Sequence, residues 1–177
     1  MYSNDFSKTR TSRQIQKLLD YQLKIREATI SDIPKMTELW AEIMKYHEGD
    51  NPYFVLIENY KELVPPMLEK RLNNSNEHVF LYEENTDLAG MIMLRTEDLP
   101  PILPFKKRGY IAETIVSSNY RSKGIGEVLV NKAKDYFKSQ KCDVMELQVS
   151  SKNPAGKKFW ERMGFEMSTI HMLSVID

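Results

Sequence analysis

The stretch YRSKGIGEVLV, residues 120–130, sets two glycines, Gly124 and Gly126, between Arg121 and an apolar run at helical spacing. Glycine weakens a helix and gathers where backbone must bend sharply or come close to something. The preceding ETIVS (113–117) reads as a strand. The residues from Gly124 to about Ser139 read as a helix, with Val128, Leu129, Ala133, Tyr136 and Phe137 apolar. The first N–H groups of a helix lack acceptors inside it and carry the positive end of its dipole. Strand, glycine turn and helix start together predict a seat for an anionic group, phosphate above all. The two glycines keep side chains out of that seat, and Arg121 and Lys123 add positive charge beside it.

Two better-known phosphate motifs fail here. A P-loop needs G-x-x-x-x-G-K-[S/T], and Gly126 is followed by Glu127 and Val128. A dinucleotide fingerprint needs a third glycine where Leu129 stands. What remains is R-x-x-G-x-G, a pattern that an ordinary strand–helix turn could also carry.

The rest of the chain bounds the reading. Its 177 residues suffice for one domain with a core. Hydrophobic residues make up 41% and charged residues 28%, ordinary for a globular protein. Lys plus Arg equals Asp plus Glu at 25 each, so no global basic field points to nucleic acid. Cys142 is the sole cysteine, which excludes an internal disulfide and a cysteine-based zinc site. No metal is expected. No apolar run approaches the roughly 20 residues that span a bilayer, so no membrane partner is expected. The opening MYSNDFSKTRTSRQ lacks the apolar segment of a signal peptide, and the expected location is cytoplasmic.

An N-terminal extension is expected over 1–21, poorly ordered over its polar first dozen residues, with a short helix around Ile15, Leu18 and Leu19. The main domain is expected over 22–177. LKIREAT (23–29) alternates as a strand. A helix follows, capped by Asp32 with Pro34 in its first turn, and runs to about Tyr46. HEGDNPYF is a loop. A second helical region follows, which Pro65 and Pro66 should break or kink. HVFLYEE and LAGMIMLRTE form a hairpin across ENTD, DLPPILPFKKR is a loop, and GYIAETIVS is the strand leading to the glycines. VMELQVS is a strand, NPAGKKFWERMG a short helix stopped by Gly164, and FEMSTIHMLSVI one or two final strands. The expected fold class is α/β, one domain with a mixed central sheet flanked by helices.

Downstream of R-x-x-G-x-G, after a helix and a strand, come Asn153, Gly156, Phe159, Trp160, Gly164 and Phe165. Together the two motifs and the order of elements over 22–176 resemble the GCN5-related N-acetyltransferase family. The resemblance implies splayed fourth and fifth strands that admit the thioester of acetyl-CoA, the cosubstrate. It implies a pyrophosphate cradle over Arg121, Ser122, Lys123, Gly124, Ile125 and Gly126, with Glu127 at the helix start. Thr114, Ile115 and Val116 are expected to pair with the pantetheine arm through their backbone, and Asn153 to contact that arm. A backbone N–H near Val116 is expected to polarise the thioester carbonyl.

The implied reaction is direct acetyl transfer to a primary amine of a small molecule or of a protein, whose proton must first be removed. Glu113 is the first candidate for the base, as the sole carboxylate in the strand that leads to the phosphate loop; a salt-bridged strand glutamate is the plainer alternative. His47 is the next, with Tyr46, Glu48 and Asp50 beside it. Many members of the family place a tyrosine in the last helix as general acid. Trp160 stands there instead, and an indole N–H donates but is not a useful acid. Trp160 is therefore expected to pack beside the CoA sulfur, and the departure keeps open a second reading, a CoA-binding sensor or scaffold without catalysis. The basic cluster Lys106, Lys107 and Arg108 is expected either to meet an anion or to be solvated loop. Acidic residues at 48–50 and 58–62 hint at a cationic acceptor. His171 and Cys142 read as structural. A homodimer is compatible with this picture.

Overall fold

The computed structural model describes residues 23–48, 55–174 and 176. The expected N-terminal helix, Asp50 and most of the HEGDNPYF loop lie outside them. A five-stranded sheet has its strands in chain order, β1 (Ile25–Glu27), β2 (Glu77–Glu84), β3 (Asp87–Asp98), β4 (Lys107–Val116) and β5 (Val144–Leu147). Its first three pairings are antiparallel, and β4–β5 is parallel. Helices α1 (Ile33–His47) and α2 (Tyr60–Leu72) separate β1 from β2. Helix α3 (Ile125–Ser139) joins β4 to β5, and α4 (Pro154–Arg162) follows β5.

Both faces of the sheet are covered, so its central strands are apolar almost throughout. Along β2, Val79 and Leu81 pack with α1 and α2, while Phe80 and Tyr82 pack with α3. Met91 and Met93 of β3 join the first set, and Ile92 and Leu94 the second. The period of two thus divides one sheet between two cores.

Strand β4 departs from that period. Met93 faces Glu113 across the ladder but Leu94 faces Ile111, so Ala112 is an extra residue, a β-bulge. In a regular strand Ile111 and Ile115 would share a face. Here Ile111 packs with Phe137 on the α3 side and Ile115 with α1 and α2. The bulge turns Glu113 towards the α1/α2 side at the point where β5 leaves, since the β4–β5 pairing ends at Ile111↔Leu147. Beyond it β4 continues to Val116 with β3 on one side and no described strand on the other. That is the splay.

Three local expectations need correction. Pro65 and Pro66 do not break α2. The carbonyls whose donors they remove belong to Lys61 and Glu62, which are exposed, where water replaces a lost partner. Asp32 precedes α1 but makes no side-chain cap. Its carboxylate instead takes the Thr29 N–H at 2.8 Å and two hydrogen bonds from Arg26. The final strands are absent from the described residues: 165–174 adopt no regular element, and Met167, Ile170 and Met172 are more than four-fifths exposed. An alternating apolar pattern makes a strand only when a neighbour accepts its ladder. His171 accordingly is an exposed residue outside any strand.

Candidate functional site

A cleft of about 890 Å³ opens where β4 and β5 separate. Its walls run from the turn before α3, past the free part of β4, to residues at the start of that strand. Gly124 caps α3 with φ 85°, in the left-handed region that suits glycine, and a Cβ there would meet nothing within 4 Å. Ser122 is also left-handed, at φ 62°. No side chain caps α3, and Gly124, Ile125, Gly126 and Glu127 all line the cleft. The two glycines serve different ends. A Cβ on Gly126 would come within 3.3 Å of the Phe159 ring, so that glycine lets α4 close against α3.

Other expected site residues are placed as follows. Glu113, Thr114, Val116, Arg121, Ser122, Asn153, Trp160 and His47 line the cleft. Ile115 is buried beneath it, in the core with α1 and α2. Lys123 does not line it; its ammonium lies 4.7 Å from the centre of the Tyr120 ring. The Arg121 guanidinium folds back, donating to the Val116 carbonyl at 3.1 Å and lying 4.6 Å from the centre of the Tyr46 ring. His47 ends α1, with its ring edge-on to Tyr46 at 5.0 Å. Asn153 caps α4 through its Oδ1, which accepts the Gly156 N–H at 2.8 Å. A Cβ on Gly156 would strike that amide at 2.7 Å, which explains an N-x-x-G pair in packing terms. Trp160 stands between Phe159 and Phe165, edge-on to each at 4.9 and 5.3 Å.

The basic cluster does not reach the cleft. Arg108 binds Glu97 and Glu146, and Lys106 donates to the Pro101 and Leu103 carbonyls. Glu48, Glu58 and Glu62 are exposed and do not line it either. Burial pushes the Cys142 thiol up, away from a reactive thiolate. Among the described residues no group of three or more His, Cys, Asp or Glu side chains could hold a metal ion.

Glu113 stands apart electrostatically. Burial raises its carboxyl to about 7, against the opposing pull of the Arg71 guanidinium and a hydrogen bond from Trp40. Trp40, Arg71, Arg95 and Tyr110 went unsingled in the sequence. Trp40 belongs to the apolar stripe of α1, and its hydrogen bond to Glu113 depends on how α1 docks. Arg71 and Arg95 carry no local motif. Arg95 could be drawn to Glu113 only through the register that pairs Met93 with Glu113.

The Acetyltransferase (GNAT) family model matches residues 34–165, about three-quarters of the chain. This chain belongs to that family. The GNAT chain is 29% identical over 144 residues to the uncharacterized N-acetyltransferase MJ1207 of Methanocaldococcus jannaschii, covering 80% of this chain and 60% of that protein. Over 59 residues it is 42% identical to N-alpha-acetyltransferase 30 of Xenopus laevis, covering 33% of this chain and 22% of that protein. It therefore spans less than two-thirds of the length of these relatives. In fold, the GNAT domain is similar to the BH1408 protein of Bacillus halodurans, with a TM-score of 0.77 and 21% identity over 86% of this chain and 99% of that one. The α/β fold with a mixed sheet and splayed β4 and β5 is that of the family.

The Thr114 Oγ is consistent with a ligand in the splay. It is buried, lines the cleft and has no hydrogen-bond partner, a costly state that a polar ligand there would relieve.

Proposed function

We propose that the chain transfers the acetyl group of acetyl-CoA directly to a primary amine, with Glu113 as general base. The observation that carries the reading is a carboxyl poised near pH 7, at the bulge of β4, where β5 leaves an open edge. Acetyl-CoA, as cosubstrate, supplies an acetyl thioester. The α3 start and the turn from Arg121 to Gly126 suit its pyrophosphate, through N–H groups without acceptors and a glycine that leaves open space. The free side of β4 over Thr114 to Val116 suits an extended polar arm, with Asn153 across the cleft.

An alkylammonium has no lone pair, so Glu113 takes a proton from it. The amine nitrogen then bonds to the acetyl carbon, its second proton is lost to solvent, the C–S bond breaks, and a thiolate departs. A thiol of pKa about 8.5 is a fair leaving group without an acid, which accommodates Trp160 where a tyrosine is usual. Trp160 packs within an aromatic trio at the wall of the cleft. His47, at the end of α1, borders the acceptor side.

The test is release of free CoA thiol from acetyl-CoA across a panel of amines, beside direct titration of acetyl-CoA. Amine-dependent release is expected. Glu113→Gln should cut kcat by about 10²–10⁴-fold, the range for a lost general base, while acetyl-CoA still binds. Binding without release for any amine would instead favour a sensor.

A further inference from the structure

Towards the start of β4, away from the phosphate seat, the cleft is lined by Arg71, Arg95 and Tyr110. Arg95 pairs across the ladder with Tyr110 on one side and Glu77 on the other, and its guanidinium lies 5.1 Å from the centre of the Tyr110 ring. Arg95 and Met93 share a face of β3, two residues apart, and Met93 faces Glu113. Arg95 is therefore set about 7 Å along the sheet from the base. Arg71 bridges that interval. It lies 3.5 Å from Glu77, spends one N–H on the Met93 sulfur at 3.8 Å, and acts electrostatically on Glu113.

Arg71 is loosely held. A thioether is a weak acceptor, and a 3.5 Å ion pair is a loose one. The Arg95 Nε pairs with Glu97 at 2.5 Å and helps hold that carboxyl below its ordinary value. Glu97 is shared with Arg108. The balancing carboxylates Glu77 and Glu97 do not line the cleft, whereas both arginines do. Arginine forks match carboxylate and phosphate geometry.

Resting on the transferase reading above, we propose that the acceptor is a small amine that also carries an anionic group, a carboxylate or a phosphate, held by Arg71 and Arg95. Both arginines and Glu113 line the same cleft, so one small molecule can reach all three. A cationic acceptor such as a polyamine would place its second charge against two arginines.

The experiment compares matched amines by thiol release: L-phenylalanine with L-phenylalaninamide, and glucosamine 6-phosphate with glucosamine. Spermidine and a short peptide with a free N-terminus complete the set. At least one anionic member should exceed its neutral partner about tenfold or more in kcat/KM. Arg95→Gln should erase most of that ratio, chiefly through KM, and Arg95→Lys should restore part of it. Arg71→Gln should erase much of the ratio too, on top of a loss common to both members because Arg71 restrains the rise of Glu113, and titration of acetyl-CoA reports that each variant is folded. Preference for the neutral members, spermidine or the peptide would overturn the proposal, as would variants that lower both members of a pair equally. Release from no amine, with acetyl-CoA bound, would also overturn it. Failure of the wild type to bind acetyl-CoA would sink the transferase reading itself.

Discussion

Glu113 is a carboxyl that the fold makes expensive to ionise. Burial raises it from 4.5 to about 7, and Arg71 and the Trp40 N–H limit the rise. A base must be deprotonated, so the amine-dependent rate should climb through neutrality, with kcat/KM half-maximal near pH 7 on the acid side. Glu113→Gln should flatten that limb as well as lower the rate. A pH–rate profile of both proteins checks this, and an unchanged limb in the variant would assign the titration elsewhere. The residue scale also accounts for Asn153. The sequence pattern N-x-x-G is legible because a capping side chain and a cramped glycine are neighbours in the chain. The Trp40 and Arg71 contacts to Glu113 are not, because they join residues dozens of positions apart.

At the scale of elements, the start of α3 and the strand before it both line the cleft. Gly124 sits at φ 85° in open space, so Gly124→Ala meets no clash but adopts a left-handed backbone. A cost of about 1 kcal/mol is expected. Acetyl-CoA titration should show an affinity loss larger than that modest destabilisation explains, if the added methyl enters the phosphate seat. Gly109 offers the contrast. A Cβ there would lie 2.4 Å from the Phe137 ring, in the core between β4 and α3. Gly109→Ala should destabilise by about 1–3 kcal/mol through overpacking, seen as a lowered urea midpoint. The strand–helix alternation that frames these glycines is readable from periodicity. The bulge at Ala112 is not, since a bulge is defined by the partner strand's register.

Over the whole molecule, pH acts on two opposed sets of carboxylates. Asp32 and Glu83 bind Arg26, Glu97 binds Arg108, and Asp143 accepts the Lys106 and Lys107 N–H groups; all four are held below their ordinary values. Their stabilisation is complete above the unfolded values of about 4 and is lost as pH falls. Glu113 has the opposite sign. Its folded value is raised, so the folded state binds the proton more tightly and stability declines as pH rises from 4.5 to about 7. The melting temperature should therefore peak near pH 5 and fall towards pH 8. Glu113→Gln should remove much of the alkaline decline, worth about 3 kcal/mol. Thermal melts of both proteins across that range test it, and parallel declines would refute the assignment.

Local rules made the α/β order, the glycine turn and the last helix's glycine stop readable in the chain itself. A left-handed turn, a helix start and a glycine stop each depend on residues a few positions apart. The final segment marks the limit of such reading: its alternation suggests strands, yet strand formation needs a partner that periodicity cannot supply. Only the tertiary structure set the bulge, the α1/α2 side on which Glu113 emerges, and the gathering of Trp40 and Arg71 around it. The physical reason is that register and docking are decided by which surfaces bury together, so a carboxylate's charge state, and the company that sets it, belong to the folded molecule.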